Sequence, residues 1–162
     1  MFQFVFALFG IAIATSGLPA VPPAAAPLVA TQVQAGLVAE DQTPSGRFLT
    51  ATEIKPIMTA TRNAWIAVRE WEGQDLVYVT HLWSWRCGLA QIQIAVNGGP
   101  LQIWPLPPCH AELPQPNAIL ETDGLPYASF ALHAVERLDV LIIYDDLTTD
   151  TASFNGDGLL LQ

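Results

Sequence analysis

The 162-residue chain predicts an α+β domain: one N-terminal helix packed on an antiparallel β-meander of about six strands, held by one disulfide. Three observations carry that expectation. Apolar and polar residues alternate from Ala90 to Val96 and run into Asn97-Gly98, a dipeptide that suits a two-residue type I′ turn. Leu138–Tyr144 is apolar on both faces apart from Asp139, the pattern of a central strand. Ile54, Ile57, Met58 and Thr61 recur at helical spacing.

Before the domain, Met1–Ala14 is almost wholly apolar, and small residues follow it. This reads as a signal peptide over residues 1–20, cleaved between Ser16 and Ala20. The run is shorter than the roughly 20 residues a membrane-spanning helix needs, so no stable membrane insertion is expected after cleavage. No Lys or Arg precedes it, which keeps an uncleaved N-terminal anchor as the alternative. Residues 21–46, with Pro22, Pro23 and Pro27 among alanines, read as a linker. Residues 47–162 form a single domain of ordinary size.

Within the domain, Thr52 is the expected N-cap of a helix over Glu53–Arg62, with Pro56 in its first turn. A strand is expected over Trp65–Trp71, a turn over Glu72–Asp75, and a second strand over Leu76–Trp83. The Asn97-Gly98 turn sets Val96 against Gly99, Ile94 against Leu101 and Ile92 against Ile103, with all these apolar side chains on one face. In that register Pro105 meets Ala90 at a bonded position. A bulge near Trp104-Pro105 would relieve the conflict, and the one-residue shift it causes brings Cys87 opposite Cys109. Prolines break the pattern between Cys109 and Pro126. Phe130–Val135 fits a strand or a short helix, and Asn155-Gly156 predicts a last hairpin closed by Leu159–Leu161.

Net charge is −9, and the six basic residues are scattered from Arg47 to Arg137. Nucleic acid, which needs clustered Lys and Arg, is excluded as a partner. Behind a signal peptide two cysteines read as a disulfide, Cys87–Cys109; the rival reading makes Cys87 a nucleophile with His110 as base. Trp83 and Trp85 lie two apart, so on a continuous strand they share a face with His81. Together with Trp104 they form the candidate binding face, against the alternative that the rings are core. His81, His110 and His133 show no close ligand spacing, so no metal site is expected, and no motif implies a cofactor. Asp145, Asp146, Asp150 and Asp157 lack the spacing of a calcium loop and read as turn and surface charge.

The expected function is a non-catalytic periplasmic or secreted binding or structural module, its partner a protein, peptide or glycan. The alternative is a small secreted hydrolase, which would require a nucleophile, a base and an oxyanion donor in one pocket.

Overall fold

The computed structural model describes residues 36–162. The apolar leader and the prolines of residues 19–27 lie outside them. The described chain folds as α+β in this order: α1 (Ala51–Ala60), β1 (Ala67–Trp71), β2 (Gln74–Tyr78), α2 (Thr80–Trp83), β3 (Leu89–Val96), β4 (Gln102–Trp104), β5 (Tyr127–Ala131), β6 (Arg137–Tyr144) and β7 (Thr149–Asn155). Instead of one meander of six strands, seven strands form two sheets among the described residues, ordered β1-β2-β5 and β4-β3-β6-β7. All pairings are antiparallel.

Helix α1 starts at Ala51 with Thr50 as its N-cap, two residues before the position that helical spacing suggests. Glu53 sets this boundary. Its carboxylate accepts from the backbone N–H groups of Thr50 (3.2 Å), Leu49 (2.9 Å) and Gly46 (2.6 Å), and from the Ser45 hydroxyl (3.0 Å). That is a capping box extended upstream. Partial burial works to raise the Glu53 pKa, but these donors outweigh it and bring it down to about 2. Pro56 therefore lies beyond the first turn, on the exposed side, where its missing N–H removes one intrahelical bond. Ala51, Ile54 and Met58 are fully buried. Gly88 lets the helix start lie this close, since a Cβ there would come within 2.8 Å of the Thr50 backbone.

Alternate residues of β6 (Leu138, Val140, Ile142, Tyr144) join Ile92 and Ile94 of β3, Val77 of β2 and the buried face of α1 in one core. Strand β6 lies between β3 and β7, so it is central, as its two-sided apolar pattern predicts. The β1–β2 turn is tighter than expected. Glu72 (φ 50°) and Gly73 (φ 77°) form a two-residue turn in the left-handed region, and Trp71 pairs with Gln74. Of Phe130–Val135, only Phe130 and Ala131 are strand, as the end of β5 that starts at Tyr127; Leu132–Val135 is neither strand nor helix but the turn leading into β6. After β7 the chain turns through Asn155–Gly158, but Leu159–Leu161 adds one bridge, Leu160 to Phe154, in place of a full strand.

Two expectations need correction. First, β2 stops at Tyr78 and does not run to Trp83. Thr80–Trp83 is a single helical turn, with Trp83 N–H donating to Val79 O (3.0 Å) and Ser84 N–H to Thr80 O (3.0 Å). The turn drops Trp83 into the core, where its indole N–H finds Pro105 O at 2.9 Å. Second, the β3–β4 register is offset by one: Ile92 pairs with Trp104, Gln93 with Ile103 and Ile94 with Gln102. Asn97 and Gly98 do take the left-handed conformations of a type I′ turn, and Gly99 N–H donates to Val96 O (2.9 Å). Gly99 itself is the extra residue. The offset inferred from Pro105 and the cysteines is therefore real but sits at the turn and not near Trp104-Pro105. It sends Ile103 to the face opposite Ile92 and Ile94, where it is 68% exposed. Continued back along β3, the same offset meets Cys87 with Cys109, and the two are bonded with Cα atoms 4.8 Å apart.

The acidic residues are not all surface charge. Asp145 is buried and caps α1, accepting from Ala51 N–H (2.8 Å) and from the Gln42 side chain (2.9 Å). Its other oxygen has no partner, and burial raises its pKa. Asp146 pairs with Lys55, and Asp150 with Arg62 at 2.6 Å, so α1 and its end supply the bases that the tail lacks.

Candidate functional site

The segment between Pro105 and Pro126 has no strand, yet it is closely held, and Arg86 holds it. The Arg86 side chain is completely buried. Its Nε donates to Pro108 O (2.9 Å), Nη1 to Trp83 O (3.0 Å) and Asn117 O (2.9 Å), and Nη2 to Ala118 O (2.7 Å) and Asp123 Oδ2 (3.2 Å). A guanidinium has five N–H donors, so every one is used. Next to it, Cys87 N–H donates to Asn117 Oδ1 (3.0 Å), and the disulfide ties Cys109. From the other side Arg47 donates to Ala111 O (3.1 Å) and Leu113 O (2.5 Å), and Asn117 Nδ2 to Phe48 O (3.0 Å).

This fixed loop forms one wall of an open cavity of about 410 Å3, with Pro114, Pro116 and Asn117 facing Phe48 and Trp85. A second cavity of about 510 Å3 is lined by Arg69, Tyr78, Thr80 and His81. Ser84 lines both, so the two cavities adjoin at the C-terminal end of α2. Where they adjoin, the Trp85 ring meets Phe48 edge to face, centroids 5.4 Å apart, and His81 at 6.4 Å. Phe48 is 44% exposed and holds φ at 59°, a left-handed conformation that is rare for a bulky residue. The Asn117 side chain bonded to its carbonyl helps keep it there.

The candidate binding face is thus split. His81 and Trp85 do come together, but around a helical turn and not two apart on a strand. Trp83 is 2% exposed and belongs to the core. Trp104 packs half-buried against the core from β4 and lines neither cavity. Phe48, Ser84 and the Pro114-Gln115-Pro116 wall escaped the sequence reading. Phe48 carries no periodic signal, and the prolines registered only as breakers of pattern.

Burial lowers the His81 pKa, which favours the neutral ring. Thr61 Oγ1 donates its single proton to Ile57 O (2.7 Å), so the 2.8 Å contact with His81 Nε2 requires an Nε2–H donor. His81 Nδ1 is then left as an acceptor. Among the described residues, neither Ser84 nor Cys87 is bonded to a histidine. Ser84 donates to Thr80 O (2.9 Å), and Cys87 is in the disulfide. His110 Nε2 lies 2.9 Å from Asp123 Oδ1, but among the described residues no hydroxyl or thiol is bonded to that histidine. Burial opposes the Asp123 charge, while Leu120 N–H, His110 and Arg86 hold its pKa below the usual carboxylate range. That pair belongs to the loop's scaffold. No family model, curated protein or solved structure matches the chain.

Proposed function

We propose that the domain is a non-catalytic, exported binding module that receives an extended peptide segment of a partner protein across Trp85 and Phe48. The observation that carries this reading is the exposed Phe48 ring set edge to face on a half-buried Trp85, against a loop whose backbone is already fixed. A preorganised apolar groove loses little freedom on binding, and an extended peptide fits a trough with cavities on both sides of Ser84. A glycan is the poorer fit. Sugars stack on flat aromatic faces, whereas Phe48 and His81 stand at 81° and 65° to Trp85 and corrugate the surface. The apolar leader and the disulfide support export, since disulfides persist in oxidising compartments.

Panning a displayed peptide library on the full chain tests the reading. Peptides that bind should lose at least about tenfold in affinity for Trp85→Ala, the equivalent of ~1.4 kcal/mol, and keep it for Trp104→Ala. Trp85→Ala should lower Tm far less than Trp83→Ala, which empties a core site worth about 3–5 kcal/mol. Peptides captured equally by Trp85→Ala, or selective retention of glycans in place of peptides, would overturn it.

A further inference from the structure

Away from the groove, the β1–β2 register sets Glu70 directly opposite Asp75. Directly opposed residues of an antiparallel pair project from the same face, and two carboxylates so placed repel unless positive charge lies between them. The turn between β5 and β6 brings in His133, whose Nδ1 lies 3.1 Å from Glu70 Oε1. One donor atom from each of Glu70, Asp75 and His133 falls within 4.8 Å of the others. Asp75 is 4% exposed, and its Oδ2 accepts Val135 N–H at 3.2 Å, so its carboxylate is fixed in place.

The three residues line a depression of about 200 Å3 together with Asp157. Gly156 allows that third acid to reach the rim. A Cβ on Gly156 would lie 2.3 Å from Val135 O, so a side chain there would force the last turn away from the β5–β6 turn. Three separate stretches of chain, the β1–β2 hairpin, the β5–β6 turn and the last turn, therefore place an imidazole and three carboxylates around one small space.

We propose that Glu70, Asp75 and His133, with Asp157 as a further oxygen donor, bind a divalent transition-metal ion of the zinc type. The mixed nitrogen and oxygen set suits such an ion better than calcium, which takes six to eight oxygens. Zinc holds nitrogen and oxygen at about 2.0–2.2 Å, so the donors must draw in from their present spacing. Glu70 and His133 are exposed and free to make that adjustment by rotamer change, while Asp75 stays put. Bound metal replaces the His133–Glu70 contact and neutralises the opposed carboxylates.

The test is calorimetric titration of the full chain, without a histidine tag, with ZnCl2 and separately with CaCl2. Glu70→Gln and His133→Asn remove donors with little change of shape. Asn is chosen because His133 has φ 58°, a left-handed conformation that Asn tolerates. Metal-free Tm of both variants checks that the turn is intact. One zinc ion per chain is expected, with affinity at least about tenfold weaker in each variant, unchanged in His110→Ala, and well above that for calcium. Absence of zinc binding, zinc binding untouched by both variants, or equal binding of calcium would each overturn the proposal and leave His133 as a polar neighbour of Glu70.

Discussion

In the four-stranded sheet, β3 and β6 satisfy their backbones with each other along a ladder from Leu89–Tyr144 to Val96–Leu138. In the Pro105–Pro126 loop few backbone groups meet: His110 N–H reaches Pro116 O, Leu113 N–H reaches His110 O, Ala118 N–H reaches Gln115 O, Asp123 N–H reaches Leu120 O and Gly124 N–H reaches Glu121 O. Other carbonyls of the loop converge on the Arg86 guanidinium. Buried backbone must be paired in either case. The sheet spreads that requirement over many equivalent residues, and no single one of them is decisive. The loop concentrates it in a few side chains, Arg86 above all with Arg47 beside it, so its order is as vulnerable as those residues. A small surface copy of the same device opens α1, where the Glu53 carboxylate gathers the N–H groups of Gly46, Leu49 and Thr50.

The widest separation between the two regions is expected from Arg86→Met. Removing a buried cation leaves the Asp123 charge and four carbonyls without their partner, at a cost of about 3–5 kcal/mol in chemical denaturation. Hydrogen exchange should register it unevenly. Amides of His110, Leu113 and Ala118 lose protection first, while those of β3 and β6 open only with global unfolding. Equal loss across both regions would remove the distinction.

Replacing both Cys87 and Cys109 by serine should cost about 3 kcal/mol, from the entropy of the loop that the bond closes in the unfolded chain. Because Arg86 stays, the three loop amides should keep most of their protection relative to global stability. That pattern would separate the staple, which acts on the unfolded chain, from the guanidinium, which orders the native loop.

The smallest effect belongs to Glu53→Gln, about 1 kcal/mol at neutral pH, as for loss of a helix cap. Its pH dependence has a definite sign. The Glu53 pKa falls from an ordinary 4.5 to about 2 on folding, so the stabilisation is complete above about pH 4.5 and is lost as pH falls towards 2. The Tm difference between wild type and Glu53→Gln should therefore close across that interval. A difference that persists at pH 2 would mean that shape and not charge holds the cap.

Where structure follows from local pattern, the sequence was readable. The centrality of β6, the buried stripe of α1 and the type I′ turn at Asn97-Gly98 all rest on neighbouring residues. The β3–β4 register failed by one residue because Gly99 fits equally well as the last turn residue or the first of a strand. Thr80–Trp83 misled for a stronger reason. Its β-branched and aromatic residues favour a strand, but remote groups decide otherwise: Trp83 lends its carbonyl to Arg86 and its indole N–H to Pro105. Half of the candidate site was lost with it, since His81 and Trp85 meet only around that helical turn. The Glu70–Asp75 opposition was within reach of the sequence. It requires Glu72-Gly73 to be a two-residue turn, and reading four residues there hid it.

Strand β4 carries a consequence for how copies of this protein coexist. Unpaired strand edges are where separate molecules join into a shared sheet. β4 offers only Gln102–Trp104 along that border, between Pro100 and Pro105, neither of which has an N–H to give. The far border, β7, is met by its own tail only at its end, with Leu161 N–H on Ser153 O (2.8 Å) and Asn155 N–H on Leu159 O (2.9 Å). An incoming chain would find a three-residue seam at one side of this sheet and a partly covered one at the other. The extra turn residue that leaves Ile103 facing solvent thus comes with a border only three residues long.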